Sequence, residues 1–159
     1  MEKKIPQYID KQTATLKAES YCAYQERSQY EVRGKLLDLG MRYDELEEII
    51  AYLIENNFLN EERFANAYAR GKLRIKGWGK NKIAQGLKFK QVSLPLVKKA
   101  LKNLDETEYL EKLKEVLDKK NESVKEKTAY QRNFKLTQYA LSRGFERDLI
   151  FFMLKDSEL

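Results

Sequence analysis

Twelve basic side chains and not one Asp or Glu fall between residues 63 and 104: Arg63, Arg70, Lys72, Arg74, Lys76, Lys80, Lys82, Lys88, Lys90, Lys98, Lys99 and Lys102. The whole chain carries only +6, so the residues outside this block are net acidic. A positive centre between acidic flanks attracts polyanions locally and limits indiscriminate sticking. Guanidinium forks and ammonium point charges are the groups that recognise phosphate and carboxylate. A face that is merely solvated mixes both signs, whereas here the acids are missing throughout.

Within the block, Lys72, Arg74, Lys76, Lys80 and Lys82 surround a Gly77-Trp78-Gly79 turn that holds the only tryptophan. Two glycines permit a tight turn and a close backbone approach. Trp78 can then be an aromatic surface among cations, for a base or a partner's pocket. It can equally be a plug filling the joint between helices.

Other chemistries lack their residues. The chain has no histidine and one cysteine, Cys22, so zinc sites and imidazole-assisted nucleophiles lose their commonest groups and no internal disulfide can form. Cys22 lies in a helical context and is expected to be a small buried apolar residue. The carboxylates run in strings such as Asp44-Glu45-Leu46-Glu47-Glu48, which solvate a helix rather than pair for acid–base work. No catalytic residue, cofactor or metal is expected. No run reaches the roughly 18 apolar residues of a membrane span, and residues 1–10 lack the apolar core of a secretion signal, so the expected location is cytoplasmic.

The elements that position the basic groups are helices. Only two prolines and seven glycines interrupt the chain, and apolar residues recur every three or four positions. In a helix over about 61–76, Phe64, Tyr68, Gly71 and Ile75 share one side and are expected to face a core. Arg63, Arg70 and Arg74 fall within about 40° of one another on a neighbouring face. Further on, Leu94, Val97, Leu101 and Leu104 are expected to form a buried stripe, with Lys98, Lys99 and Lys102 along the opposite edge.

A repeat underlies this pattern. Val32, Ile83 and Leu136 correspond, as do Met41, Val92 and Phe145, and then Leu46, Val97 and Ile150, at offsets of 51 and 53 residues. Each unit contains a helix, a sharp turn at Gly40, Gln91 or Gly144, an apolar residue closing that turn, and a second helix begun by Asp44, Pro95 or Asp148. An earlier helix precedes each pair, at about 14–26, 61–76 and 106–120. Ser28 with Glu31 fits a capping box, and Asn60 fits a helix cap. The expected fold is all-α, with three tandem three-helix repeats in an elongated, curved solenoid-like array. An N-terminal extension covers 1–12, and the repeats cover 13–58, 59–104 and 105–159. Tyr21, Tyr24, Tyr30, Tyr43 and Tyr52 are expected to pack in or between helices of the first repeat. The mixed-charge stretch 105–126 reads as an ordinary exposed helix. With an apolar stripe in each unit and no long heptad pattern, a monomer is expected.

Three runs carry a resemblance to a known family. They are Arg27-Ser28-Gln29-Tyr30-Glu31-Val32-Arg33-Gly34-Lys35-Leu36, Leu59-Asn60-Glu61-Glu62-Arg63-Phe64-Ala65-Asn66-Ala67-Tyr68, and the Gly77-Trp78-Gly79 turn leading to Ile83 and Leu87. The chain resembles the RecX family, bacterial regulators of the RecA recombinase, over about residues 13–155. The resemblance implies a curved array of three-helix units. It also implies a non-enzymatic modulator that lies in the groove of the RecA–DNA filament and slows its extension, ATP hydrolysis and strand exchange in DNA repair and recombination. Gln91 departs from the family's glycine at the second turn. The residues proposed to contact the filament and, non-specifically, the DNA phosphate backbone are Arg63, Arg70, Lys72, Arg74, Lys76, Trp78, Lys80, Lys82, Lys98, Lys99 and Lys102. The alternative is a stand-alone helical DNA-binding protein using the same basic repeat for phosphate contacts.

Overall fold

Asp10 opens the first helix by accepting a hydrogen bond from the Thr13 amide at 2.7 Å, and from there the chain is helical almost to its end. The structure, a computed structural model, describes residues 9–156; most of the expected N-terminal extension, residues 1–8, lies outside them. Among the described residues there are nine α-helices and no strand. They are α1 (Lys11–Tyr24), α2 (Gln29–Asp38), α3 (Tyr43–Glu55), α4 (Glu61–Gly71), α5 (Lys80–Phe89), α6 (Leu94–Lys102), α7 (Glu106–Asn121), α8 (Ala129–Ser142) and α9 (Arg147–Asp156). None is long and apolar enough to cross a membrane.

The starts and stops follow from single side chains. Ser28 and Glu31 form the reciprocal capping box expected of them, each oxygen taking the other residue's amide at 3.1 Å. Asn60 accepts from the Arg63 amide at 2.9 Å, Asp105 from Glu108 at 2.8 Å, and Thr128 from Gln131 at 3.2 Å. Pro95 stands in the first turn of α6, where its missing N–H costs nothing.

The repeat is visible in backbone bonds. At the end of α2 the Met41 amide bonds to Leu36 O and the Gly40 amide to Leu37 O; Val92 to Leu87 with Gln91 to Lys88, and Phe145 to Ala140 with Gly144 to Leu141, reproduce the pair. Each is a left-handed helix stop whose following apolar residue folds back on the last turn. The φ angles are 85° at Gly40, 59° at Gln91 and 95° at Gly144. Gln91 thus occupies the glycine conformation, and Met41, Val92 and Phe145 are all buried.

These nine helices pack as three triplets around two cores. The first core joins Ala14, Ala18, Val32, Leu36, Ile49 and Leu53 with their neighbours in α1–α3. Cys22 belongs to it, and burial pushes its thiol up to about 11, which leaves an inert apolar residue at neutral pH. The second core is continuous from Phe64 to Leu154 and is shared by the second and third triplets.

Three sequence expectations are revised. After Gly71 the first helix of the second triplet widens into a π-helical turn, Lys72–Lys76. The extra residue in that turn rotates Leu73 into the core at 1% exposure and turns Ile75 out at 82%. On α6, Leu94 is half exposed, and Ala100 joins Val97 in the buried face. Of the tyrosines assigned to packing in the first repeat, Tyr24 and Tyr43 are strongly exposed, while Tyr52 hydrogen-bonds Glu19 at 2.8 Å and Tyr30 meets Phe89 edge-on at 6.3 Å.

Two substitutions probe the helix stops in urea unfolding. Gln91→Gly relieves a left-handed side-chain conformation costing roughly 1–2 kcal/mol, less glycine's entropy in the unfolded chain, and should raise stability by about 0.5–1 kcal/mol. Gly144→Ala has φ against it, and its Cβ would collide with the Cβ and backbone of Lys82. It should lower stability by about 3 kcal/mol or more.

Candidate polyanion interface

The twelve cations divide into those already holding the molecule together and those left to solvent. Arg63 belongs to the first group. Its Nε sits 2.5 Å from the Glu26 carboxylate, and its two Nη groups donate to the Asn57 side chain and carbonyl at 3.0 and 3.1 Å. Asn57 is the left-handed residue that ends α3, so Arg63 ties the first triplet's exit to its α1–α2 link and to α4. The same joint carries Lys90 3.7 Å from Glu31, and the Gln29 amide donating to Glu61 at 2.9 Å. Burial pushes the Glu61 carboxyl above its ordinary range.

Arg74 is likewise engaged. It forms a two-pronged pair with Glu108 of α7, through Nε to one oxygen and an Nη to the other at 3.1 Å. That hydrogen-bonded guanidinium holds the Glu108 carboxyl below the usual carboxylate range, with Lys112 and Arg70 adding to the effect. Lys99 pairs with Glu62 at 2.7 Å. The acids missing from the basic stretch are therefore supplied by its flanks in space.

Around the Gly77-Trp78-Gly79 turn, the structure brings several of the candidates together. Gly77 takes the left-handed conformation at φ 64° that closes the π-helical turn. Trp78 packs half-buried against the second core, with the Lys72 and Lys82 ammoniums each 4.8 Å from its ring centroid. Each ammonium thus lies within cation–π reach of the ring. Gly79 serves the third triplet: its amide donates to Arg143 O at 2.8 Å and that of Asn81 to Gly144 O at 2.9 Å. A Cβ on Gly79 would strike the Gly144–Phe145 backbone. Lys80 lies 4.9 Å from the ring of Tyr109, whose hydroxyl accepts from the Lys80 amide at 3.0 Å and donates to Glu146. Burial, and that bond to Glu146, push the phenol upward, so it stays protonated.

Arg70, Lys76, Lys98 and Lys102 are exposed. The lysines of α6 do not adjoin the tryptophan turn. Pairs of Lys99 with Glu62 and of Asn103 with Asn66 place them beside the start of α4, while Trp78 follows its far end. About 15 Å of helix separates the two groups. Sequence reasoning missed Glu108, Tyr109 and Arg143. Arg143 donates to the carbonyl of Lys76, 67 residues away, and no local pattern signals such a contact.

Comparison with known proteins places this geometry. Residues 60–101 match the family model of the second three-helix domain of RecX, and residues 106–154 that of the third, together more than half of the chain. The chain belongs to the RecX family. Regulatory protein RecX of Clostridium perfringens (strain 13 / Type A) is 32% identical over 124 residues, spanning 77% of this chain and 58% of that protein. Regulatory protein RecX of Bacillus mycoides (strain KBAB4) is 25% identical over 145 residues, 91% of this chain and 54% of that protein. The chain thus spans little more than half the length of these curated relatives. The crystal structure of RecX from Lactobacillus salivarius superposes with a TM-score of 0.83 at 25% identity, covering 92% of this chain and 95% of that one. The all-helical fold of three-helix domains is therefore that of RecX regulatory proteins.

The division of the cations yields a charge test. Arg70→Gln should lower the salt concentration that elutes the protein from heparin more than Arg74→Gln does, because Arg74 is already neutralised; equal shifts would mean that the Arg74–Glu108 pair opens. Glu108→Gln should raise that salt concentration by releasing Arg74. With its folded carboxyl held low, Glu108 stabilises the fold above the usual carboxylate range and loses that contribution as pH falls, so Glu108→Gln should also flatten the acid limb of the stability profile.

Proposed function

We propose that this RecX-family chain is a regulator that binds a RecA-type recombinase on its DNA filament and restrains filament extension, ATP hydrolysis and strand exchange. The observation carrying this reading is the pair of Lys72 and Lys82 ammoniums over the half-buried Trp78, with exposed Arg70 in the same three-helix unit, whose other arginines are spent on internal pairs. A filament groove is long and walled by DNA phosphate and protein carboxylates. Helical units in series offer it several modest contacts whose affinities combine. Exposed Lys98 and Lys102 of α6, about 15 Å back toward the start of α4, would form a second contact, with Lys99 joining it if its pair with Glu62 opens. Phosphate attraction without base reading fits lysine-rich faces. Regulation by occupancy requires no catalytic group.

ATP turnover by a preassembled recombinase filament tests the proposal directly. Turnover should fall as the protein is added. Lys72→Gln/Lys82→Gln should require about ten times more protein for the same suppression, the scale of one to two lost charge-assisted contacts. Unchanged turnover at saturating protein would overturn the reading. Tight, sequence-dependent binding to duplex DNA without recombinase would favour a stand-alone DNA-binding protein instead.

A further inference from the structure

We infer that the groove at the joint of the second and third triplets is a binding site for the phosphodiester backbone of a single nucleic-acid strand. This deepens the filament reading and rests on it only for the source of the strand. The groove has a volume of about 490 Å³ and is walled by the π-helical turn on one side and by α7 and the end of α8 on the other. Five cations line it, Lys76, Lys112, Lys119, Lys120 and Arg143, against one acid, Glu115. Glu115 is answered within the groove by Lys112 at 3.3 Å. Among the described residues, Lys76, Lys119 and Lys120 have no carboxylate partner. An adjoining hollow along α7 shares Glu115 and Lys119 with the groove and adds the acids Glu111, Asp118 and, just past the helix, Glu122, which bound the positive zone.

An independent observation at the groove comes from Arg143. One Nη donates to the Lys76 carbonyl, but Nε is buried with no hydrogen-bond partner. A buried donor of that kind costs free energy until an acceptor reaches it. The groove also has apolar surface suited to an unstacked base. The Tyr139 ring lies 4.9 Å from the Lys120 ammonium, and Ile75, which the π-helical turn rotates outward, is 82% exposed. A positive track with an aromatic platform recognises single strands, whereas a duplex keeps its bases stacked inside. The sequence hid this site because its cations come from the mixed-charge α7 as well as from the acid-free block.

Fluorescence anisotropy with a labelled oligothymidylate, without recombinase, tests the groove alone. Lys119→Gln/Lys120→Gln should reduce the slope of log affinity against log salt by about 1.4, at roughly 0.7 per lost phosphate contact on a single strand. Tyr139→Leu should weaken binding about fivefold or more with the slope unchanged. Lys98→Gln/Lys102→Gln, which removes the same charge from α6, should alter the slope less. Equal slopes in the two double variants, or no oligothymidylate binding by the unaltered protein, would overturn the inference. Suppression of filament ATP turnover by the unaltered protein is read separately, so failure of the groove and failure of the regulator reading remain distinct.

Discussion

The backbone contact between the second and third triplets, Gly79 against the Arg143–Gly144 turn, is the constraint on which the surrounding surface depends. Two amide-to-carbonyl bonds of 2.8 and 2.9 Å cross it, and neither glycine has room for a Cβ. With that approach fixed, Tyr109 reaches Phe145 at 5.5 Å and takes the Lys80 amide, and Arg74 meets Glu108. Arg143 is brought to the Lys76 carbonyl. The tryptophan between the two glycines is a consequence of the same joint. It fills the space beside a turn shaped by backbone contact, and its remaining face carries two lysines.

The two joints of the molecule differ in kind. The second and third triplets share one apolar core, whereas the first keeps its own core and meets the second largely through polar contacts. Arg63 with Glu26, Lys90 with Glu31 and Gln29 with Glu61 make up that contact, together with the edge-on Tyr30–Phe89 pair. These ion pairs are largely shielded, so salt screens them less than surface pairs, but their desolvation offsets much of their attraction, which apolar burial does not suffer. Apolar burial therefore joins the second and third triplets directly. The first is fastened to the second by polar contacts and the Tyr30–Phe89 pair.

Much of the fold was legible in the sequence because it rests on local rules. The capping box at Ser28 and Glu31, the cap at Asn60 and the three helix stops each depend on residues within five positions of one another. Gln91 was legible as a left-handed residue only through its alignment with Gly40 and Gly144, since its own side chain argues against that conformation. The inward face of the helix after residue 61 was misplaced from Lys72 onward: periodicity assumes α-helical spacing, and the π-helical turn adds a residue without any sequence mark. Leu94 was misassigned because the first turn of α6 projects beyond the core. The exposed Tyr24 and Tyr43 show that an aromatic at helical spacing need not be buried.

The sequence by itself determined an all-helical chain of repeated three-helix units with a positive centre, because capping, periodicity and net charge are properties of neighbouring residues. It could not determine which cations remain available. Arg63 and Arg74 look no different from Arg70 in the chain, yet Glu26 and Glu108, 37 and 34 residues away, engage the first two. Lys112, Lys119 and Lys120 sit among acids in sequence and beside Lys76 and Arg143 in space. Coulomb attraction depends on separation through space, and only tertiary packing sets those distances.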